Sequence, residues 1–312
     1  MRIHEDQFAD LSNGIRLHYA SAGDEARQAH RPLMIFLHGF PEAWFTWEAQ
    51  LPEFGRDHFA VAPDLRGYNL SAKPAEVEAY RAKHLVEDIR LLIEFLGYQS
   101  AVVVAHDWGG ALAWNLAIMH PHNVSRLIII NSPHPWTFMR DLMHDPAQQA
   151  ASAYMNWLRA PGSEAALSKH DFKAIERFFA NDEGAMPAWY TPAMRARYHA
   201  VWSVPGAIGS DGAASHPLTG SVNYYRATPL FPPTDGKAHD LPDNFRREDW
   251  TVKVPVRVVW GETDRALRPS LLEGLESVCP DLKIERIPEG SHWVVHEQPE
   301  RVTAAIRAFL NG

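Results

Sequence analysis

The chain has 312 residues, with 30 Lys and Arg against 38 Asp and Glu and a net charge of −8 at neutral pH. That acidic balance argues against a nucleic-acid partner, and no apolar run approaches the ~20 residues of a membrane span. Hydrophobic residues make up 46% and charged ones 22%, the proportions of a globular protein with one large α/β domain or a core plus a smaller lobe.

Met1-Arg2-Ile3-His4-Glu5-Asp6 carries no apolar h-region, so no signal peptide is expected there. Phe8 to Tyr19 reads as a hairpin around Asn13-Gly14, the strongest short turn signal. Leu33 to Leu37 is a continuous apolar strand ending in His38-Gly39-Phe40-Pro41-Glu42, and Phe59 to Ala62 runs into Asp64-Leu65-Arg66-Gly67-Tyr68. Leu85, Ile89, Leu92 and Ile93 recur at helical spacing and predict a helix over 85–96. Val102 to Ala105 reads as a short buried strand, and a small-residue helix follows from Gly109 to about His120, where Pro121 stops it. Leu127 to Ile130 is the next strand. Strands alternating with helical spacers predict an α/β fold with a doubly wound, mostly parallel sheet, whose ligands sit beyond the carboxyl ends of the strands.

From Pro135 to about Pro242 the long β-branched runs stop. Amphipathic pieces around 147–159, 171–180 and 193–202 predict an inserted helical cap, with a flexible loop from Gly206 to Gly220. Val254 to Trp260 and Leu282 to Ile287 restore the strand pattern. Pro299 to Leu310 closes the chain as a helix with Val302, Ile306 and Phe309 facing inward. The expected organisation is a core over 1–135, a cap over 136–245 and the second part of the core over 246–312. Cys279 is the one cysteine, which excludes an intrachain disulfide and permits a reducing, cytoplasmic setting.

Ala105-His106-Asp107-Trp108-Gly109 has the layout of the strand–turn–helix elbow G-x-S-x-G, with Ala for the first Gly and Asp for Ser. Such a turn lifts Asp107 above the sheet edge, beside the positive end of a helix. A carboxylate there is a poor acyl-transfer nucleophile but a good one for displacement at saturated carbon. An Asp that merely caps a helix would give the same local pattern. Asp264 and His292 each follow a later strand, so the three fall in the chain order of a nucleophile–acid–histidine triad, with Glu262 and His296 as local rivals. A carboxylate against one imidazole nitrogen fixes the tautomer and leaves the other nitrogen free to take a proton from water. The turn at His38-Gly39-Phe40-Pro41 can aim the Phe40 N–H, together with that of Trp108, at the reacting carboxyl as an oxyanion hole. Neither a phosphate-binding glycine loop nor a Cys/His ligand cluster occurs, so no cofactor and no metal are expected.

Over essentially its whole length the chain resembles the α/β-hydrolases and, within them, the epoxide hydrolases. The residues that carry the likeness are His38-Gly39-Phe40-Pro41-Glu42, Asp64-Leu65-Arg66-Gly67-Tyr68, His106-Asp107-Trp108-Gly109-Gly110, Asn131-Ser132-Pro133-His134-Pro135, Asp264 and Ser291-His292-Trp293. The resemblance implies an α/β-hydrolase fold and the opening of an apolar epoxide to a vicinal diol through an alkyl ester on Asp107. It also implies two cap tyrosines that hold and protonate the epoxide oxygen, at Tyr154 and Tyr225, with Tyr224 as the neighbouring alternative. Expected pocket residues are His38, Pro41, Trp44, His106, Trp157 and Trp293, beside Phe40 and Trp108. A small or medium apolar epoxide and water are the expected partners, and a homodimer stays open. A haloalkane dehalogenase would share Asp107, Asp264 and His292, but Phe40 stands where many of those resemble each other in carrying Asn. A non-catalytic small-molecule receptor on this fold has no need of nucleophile, acid, base and oxyanion turn together. Two departures from the family pattern are Asn69, where a small residue is usual, and the long loop over 208–217.

Overall fold

A computed structural model of the protein describes residues 1–207, 214–234 and 246–312. Its strands are β1 (His4–Asp10), β2 (Arg16–Ala22), β3 (Leu33–Leu37), β4 (Phe59–Pro63), β5 (Ala101–His106), β6 (Val124–Ile130), β7 (Val256–Gly261) and β8 (Leu282–Ile287). They form one sheet of eight strands in the order β1-β2-β4-β3-β5-β6-β7-β8. The pairs β1–β2 and β2–β4 are antiparallel, and the remaining pairs are parallel.

The apolar runs explain this order. Every residue of β3, β4 and β5 is buried, as expected of central strands covered by helices on both faces. At the edge, β8 has only Ile287 buried, and its Glu and Lys side chains stay wet. Register then aligns the strand ends. Leu37 pairs with Ala105, Ala105 with Ile129, Ile130 with Val259 and Gly261 with Ile287. The turns that follow β3, β5, β6, β7 and β8 therefore emerge side by side along one edge.

Between β6 and β7 the described chain is helical: Pro135–His144, Pro146–Ala151, Tyr154–Arg159, Ser163–Glu176, Pro192–Ser203 and Thr219–Ala227. Here the expectations are corrected in two places. The piece expected over 171–180 belongs to a helix that starts at Ser163 and ends at Glu176, broken where His170, Asp171 and Phe172 take φ of 53°, 58° and 62°. Tertiary contacts override periodicity there, because Asp171 pairs with Arg195 while the Phe172 ring packs on His199 and Trp202. The flexible loop expected up to Gly220 gives way to helix at Thr219. Gly220 reads as a loop residue but serves close approach, since a Cβ on it would lie 2.5 Å from the Gly67 Cα. Residues 208–213 of the long loop lie outside the described residues. No helix among the described residues is long and apolar enough to cross a membrane.

The tightest part of the molecule is the turn between β5 and the helix Asp107–Met119. Asp107 takes φ of 50°, in the left-handed region that costs an L-residue energy. A Cβ added to Gly109 would lie 2.4 Å from the Leu37 carbonyl oxygen and 2.5 Å from that of His38. Both are backbone atoms, and the Leu37 carbonyl belongs to β3 itself, so neither gives way as a flexible side chain would. Gly109→Ala is expected to cost about 1–3 kcal/mol through overpacking. A denaturant titration checks this, and an unchanged midpoint would refute the close approach.

Candidate active site

Asp107 opens its helix at the carboxyl end of β5, with its side chain only 12% exposed. The Phe40 N–H, from the turn after β3, donates to Oδ1 at 2.7 Å. His292 Nε2, from the turn after β8, stands 3.5 Å from Oδ2. The other nitrogen of that ring, Nδ1, donates to Asp264 Oδ2 at 2.7 Å. The contact fixes the tautomer, because a carboxylate accepts only. Trp108 follows Asp107 in the first turn of the same helix.

Asp264 is anchored from every side. Its Oδ1 accepts the N–H groups of Ala266 and Leu267, each at 2.9 Å, and Oδ2 also accepts from the Asn131 amide at 2.9 Å. Asn131 stands at the end of β6, where the sequence reading gave it no role. Its place directly after a strand is the signal that would have found it. Ser132 beside it donates to the Asp107 carbonyl at 2.7 Å, bracing the elbow. Glu262, the rival to Asp264, is turned away and pairs with Arg286 at 2.8 Å.

The charges are mutually dependent. Burial opposes the Asp107 charge, but the hydrogen bond and charge of His292, the charge of His106 and the Phe40 N–H outweigh it and hold the carboxyl below its usual range. Burial likewise opposes the His292 cation, and the carboxylates of Asp264 and Asp107 overcome it, so the imidazole is raised well above its ordinary value. Tyr154 and Tyr225 move the other way. Burial first, then the Asp107 charge among their neighbours, pushes both phenols up, which leaves them protonated.

Two cavities meet over Asp107, and Asp107, Tyr154 and Tyr225 line both. One, of about 590 Å³, is walled by Leu112, Phe138, Met139, Met155, Leu230 and Leu267 among others. The second, of about 680 Å³, holds His292, Asp264 and Trp293 together with polar and charged groups such as Arg177, Asn181, Thr263 and Arg265. Tyr154 and Tyr225 sit on separate helices with ring centroids 6.1 Å apart. Arg159, on the helix of Tyr154, ties them by donating to the Tyr225 carbonyl at 2.6 Å. Tyr224, the rival to Tyr225, spends its hydroxyl on the Arg66 carbonyl at 2.9 Å.

Of the pocket residues expected from sequence, Trp293 lines the polar cavity and Phe40 and Trp108 line one cavity each. His38, Pro41, Trp44, His106 and Trp157 line neither, which corrects that expectation. His38 is buried under the turn, donating from Nδ1 to the Gly39 carbonyl and accepting the Leu65 N–H. The Pro41 carbonyl accepts the Trp202 indole N–H at 2.7 Å. Trp44 is buried with its N–H on Asp64. Trp157 is 43% exposed, because Met155 and Leu158 take the buried face of their short helix. His106 lies behind His292 and donates from Nε2 to its carbonyl at 2.8 Å. Asn69, the departure after Tyr68, takes φ of 41° and donates to Asp64 at 2.7 Å. Among the described residues no group of three or more His, Cys, Asp or Glu side chains is arranged to hold a metal ion.

Comparison with known proteins agrees with this architecture. A family profile described as "alpha/beta hydrolase fold" matches residues 32–299. Mouse epoxide hydrolase 4 is 34% identical over 96% of this chain and 77% of its own length. The AB hydrolase superfamily protein YfhM of Bacillus subtilis is 36% identical over 96% of both chains. Among solved structures, an epoxide hydrolase of Bacillus megaterium in complex with an inhibitor superposes with a TM-score of 0.82 at 35% identity, covering 98% of this chain and all of that one. The chain therefore belongs to the α/β-hydrolase fold family and, within it, to the epoxide hydrolases, which are hydrolase enzymes.

Proposed function

We propose that the protein hydrolyses an apolar epoxide to a vicinal diol through an alkyl ester on Asp107. The observation that carries this reading is the meeting of one ionised carboxylate and two protonated phenols at the junction of the two cavities. In the same reading the helices between β6 and β7 act as a cap over 136–245, closing on a core made of 1–135 and 246–312.

Oδ1 of Asp107 is held by the Phe40 N–H, so Oδ2 is the attacking oxygen. It bonds to an epoxide carbon while the carbon–oxygen bond opposite breaks. The leaving oxygen would be an alkoxide, and Tyr154 or Tyr225 protonates it as it forms. Burial has raised both phenols, so each arrives at the reaction carrying its proton. His292 Nε2 then takes a proton from water, whose oxygen attacks the ester carbon. Charge gathers on Oδ1 beside the N–H groups of Phe40 and Trp108. The ester oxygen leaves as the second hydroxyl of the diol with the proton from His292, and the tyrosinate regains a proton by net transfer from the consumed water.

Esterification itself prepares the second step. Asp107 is one of the two carboxylates that raise His292, and its charge disappears when the ester forms. The imidazole thereby falls back toward its ordinary value and becomes a base when a base is needed. The apolar cavity suits the substrate's hydrocarbon arm, and the polar one gives water and diol a wet route. A dehalogenase would need N–H donors for the halide, whereas the Trp108 indole is engaged with the Tyr225 hydroxyl and lowers its resistance to ionising.

His292→Gln is expected to alkylate normally and stall as the ester. Intact-mass spectrometry after substrate addition should then find a stable adduct on Asp107, and an unmodified, folded variant that still binds substrate would defeat the mechanism. Tyr154→Phe and Tyr225→Phe should each slow alkylation about 10²-fold or more while largely sparing ester hydrolysis. Single-turnover kinetics with a chromogenic epoxide separates the two steps. Bromide release from a bromoalkane that survives both changes would favour the dehalogenase reading instead.

A further inference from the structure

The turn that carries Asp264 is held by a buried side chain that the reaction above does not use. Gln148 lies in the short helix Pro146–Ala151 and is completely buried. Its Nε2 donates to the Ala266 carbonyl and to the Ser152 hydroxyl, each at 2.8 Å. Its Oε1 accepts the Arg268 N–H at 3.0 Å. These partners fix which way the amide points, because a carbonyl only accepts and a peptide N–H only donates. Both hydrogens of Nε2 are engaged, and a flipped amide would set like groups against each other at Ala266 and at Arg268.

The same stretch of backbone holds Asp264. Ala266 and Leu267 turn their N–H groups to Asp264 Oδ1, while the Ala266 carbonyl and the Arg268 N–H turn to Gln148. Residues 266–268 therefore form a bridge with a carboxylate on one side and a carboxamide on the other. Arg265 reaches outward instead, to the Ala180 carbonyl and to Asp182. With its side chain 49% exposed and that of Asp182 84%, this ion pair is screened by water and holds the turn only weakly. Gln148 also belongs to the mount of Tyr154. The Ser152 N–H donates to the Gln148 carbonyl and the Met155 N–H to the Ser152 carbonyl, each at 2.9 Å, so backbone bonds run on into the helix Tyr154–Arg159.

We propose that Gln148 is a positioning residue for ester hydrolysis, which fixes Asp264 against His292 by bracing the 266–268 backbone from the helical layer. The proposal rests on the ester mechanism given above. Gln148 lines neither cavity over Asp107, so it acts through Asp264 and not on the substrate. The two steps depend on it unequally. Alkylation uses the Asp107 carboxylate and the phenols, whereas hydrolysis needs His292 Nε2 aimed at water while Nδ1 stays on Asp264. Without Gln148 the Asn131 amide still holds Oδ2, but the peptide groups on Oδ1 are free to turn and the imidazole loses its fixed direction.

A pH signature follows from the same geometry. Burial lowers His292, and the Asp264 charge is the foremost of the interactions that raise it. A looser Asp264 raises it less, so the imidazole sheds its proton at lower pH and the acidic limb of ester hydrolysis moves down. The other groups facing His292 are Asp107 and His106 at the end of β5, the His106 ring standing 4.7 Å away, and neither is bonded to Gln148. Tyr154 faces Asp264 from the helical layer, with its proton held on by burial and by the carboxylates around it.

The test is single-turnover kinetics across pH, with formation and loss of the ester followed by intact mass. Gln148→Met keeps length and bulk but gives up the amide's hydrogen bonds. Ester hydrolysis should slow about tenfold or more, and its acidic limb should fall by about half a pH unit, while alkylation keeps its rate. Gln148→Asn, a polar amide one carbon too short for the turn, should change both in the same direction. Ser152→Ala removes the third partner without touching the bridge and should change neither. A folded Gln148→Met or Gln148→Asn with the parent's hydrolysis rate and limb overturns the proposal, even if its melting temperature falls. Equal slowing of alkylation also overturns it, by placing the effect on Tyr154, as does a Ser152→Ala that reproduces the changes. Failure of His292→Gln to accumulate an ester would overturn the underlying mechanism instead, so the two failures are distinguishable.

Discussion

A negative charge withdrawn from water is the constraint around which this molecule is arranged. Asp107 loses hydration at the end of β5, and the loss is offset only because neighbouring strands deliver compensating groups to the same point. The Phe40 N–H comes from the turn after β3 and His292 from the turn after β8. Neither turn lies near Asp107 in sequence. The register of the parallel sheet is what brings them together, and the continuous apolar runs of β3, β5 and β6 fix that register. Packing in the sheet and electrostatics at its edge are thus one problem.

Glycine makes the meeting possible. The helix after β5 has to start almost on top of β3, and Gly39, Gly109 and Gly110 are the places where a single methyl group would collide with Asp107, the β3 backbone and Ser132. The left-handed backbone at Asp107 is the cost of that sharp turn. It orients the carboxylate toward the cavities rather than back along the strand.

Much of this was legible in the residues. The strands were plain because buried parallel strands are unbroken apolar runs, and Asp107, Asp264 and His292 were visible as polar residues set directly after them. Helices between β6 and β7 were harder to read. Their ends depend on contacts such as Asp171 with Arg195, and Gly220 looks like a breaker until its contact with Gly67 is seen. The aromatic pocket was misjudged for a related reason. Trp44 and Trp157 have the composition of a lining, but a side chain's direction is set by neighbours far away in sequence, and one is buried behind the site while the other faces solvent. The contact between Glu42 and His296 was not legible either, since it joins residues 254 apart in the chain.

The bond from Arg159 to the Tyr225 carbonyl has a mechanical consequence. It ties the two phenol-bearing helices to each other within the helical layer. A displacement of one helix that kept this bond would draw the other with it. On the reading proposed above, the gap from that pair to the Asp107 carboxylate would then govern when the epoxide ring can open.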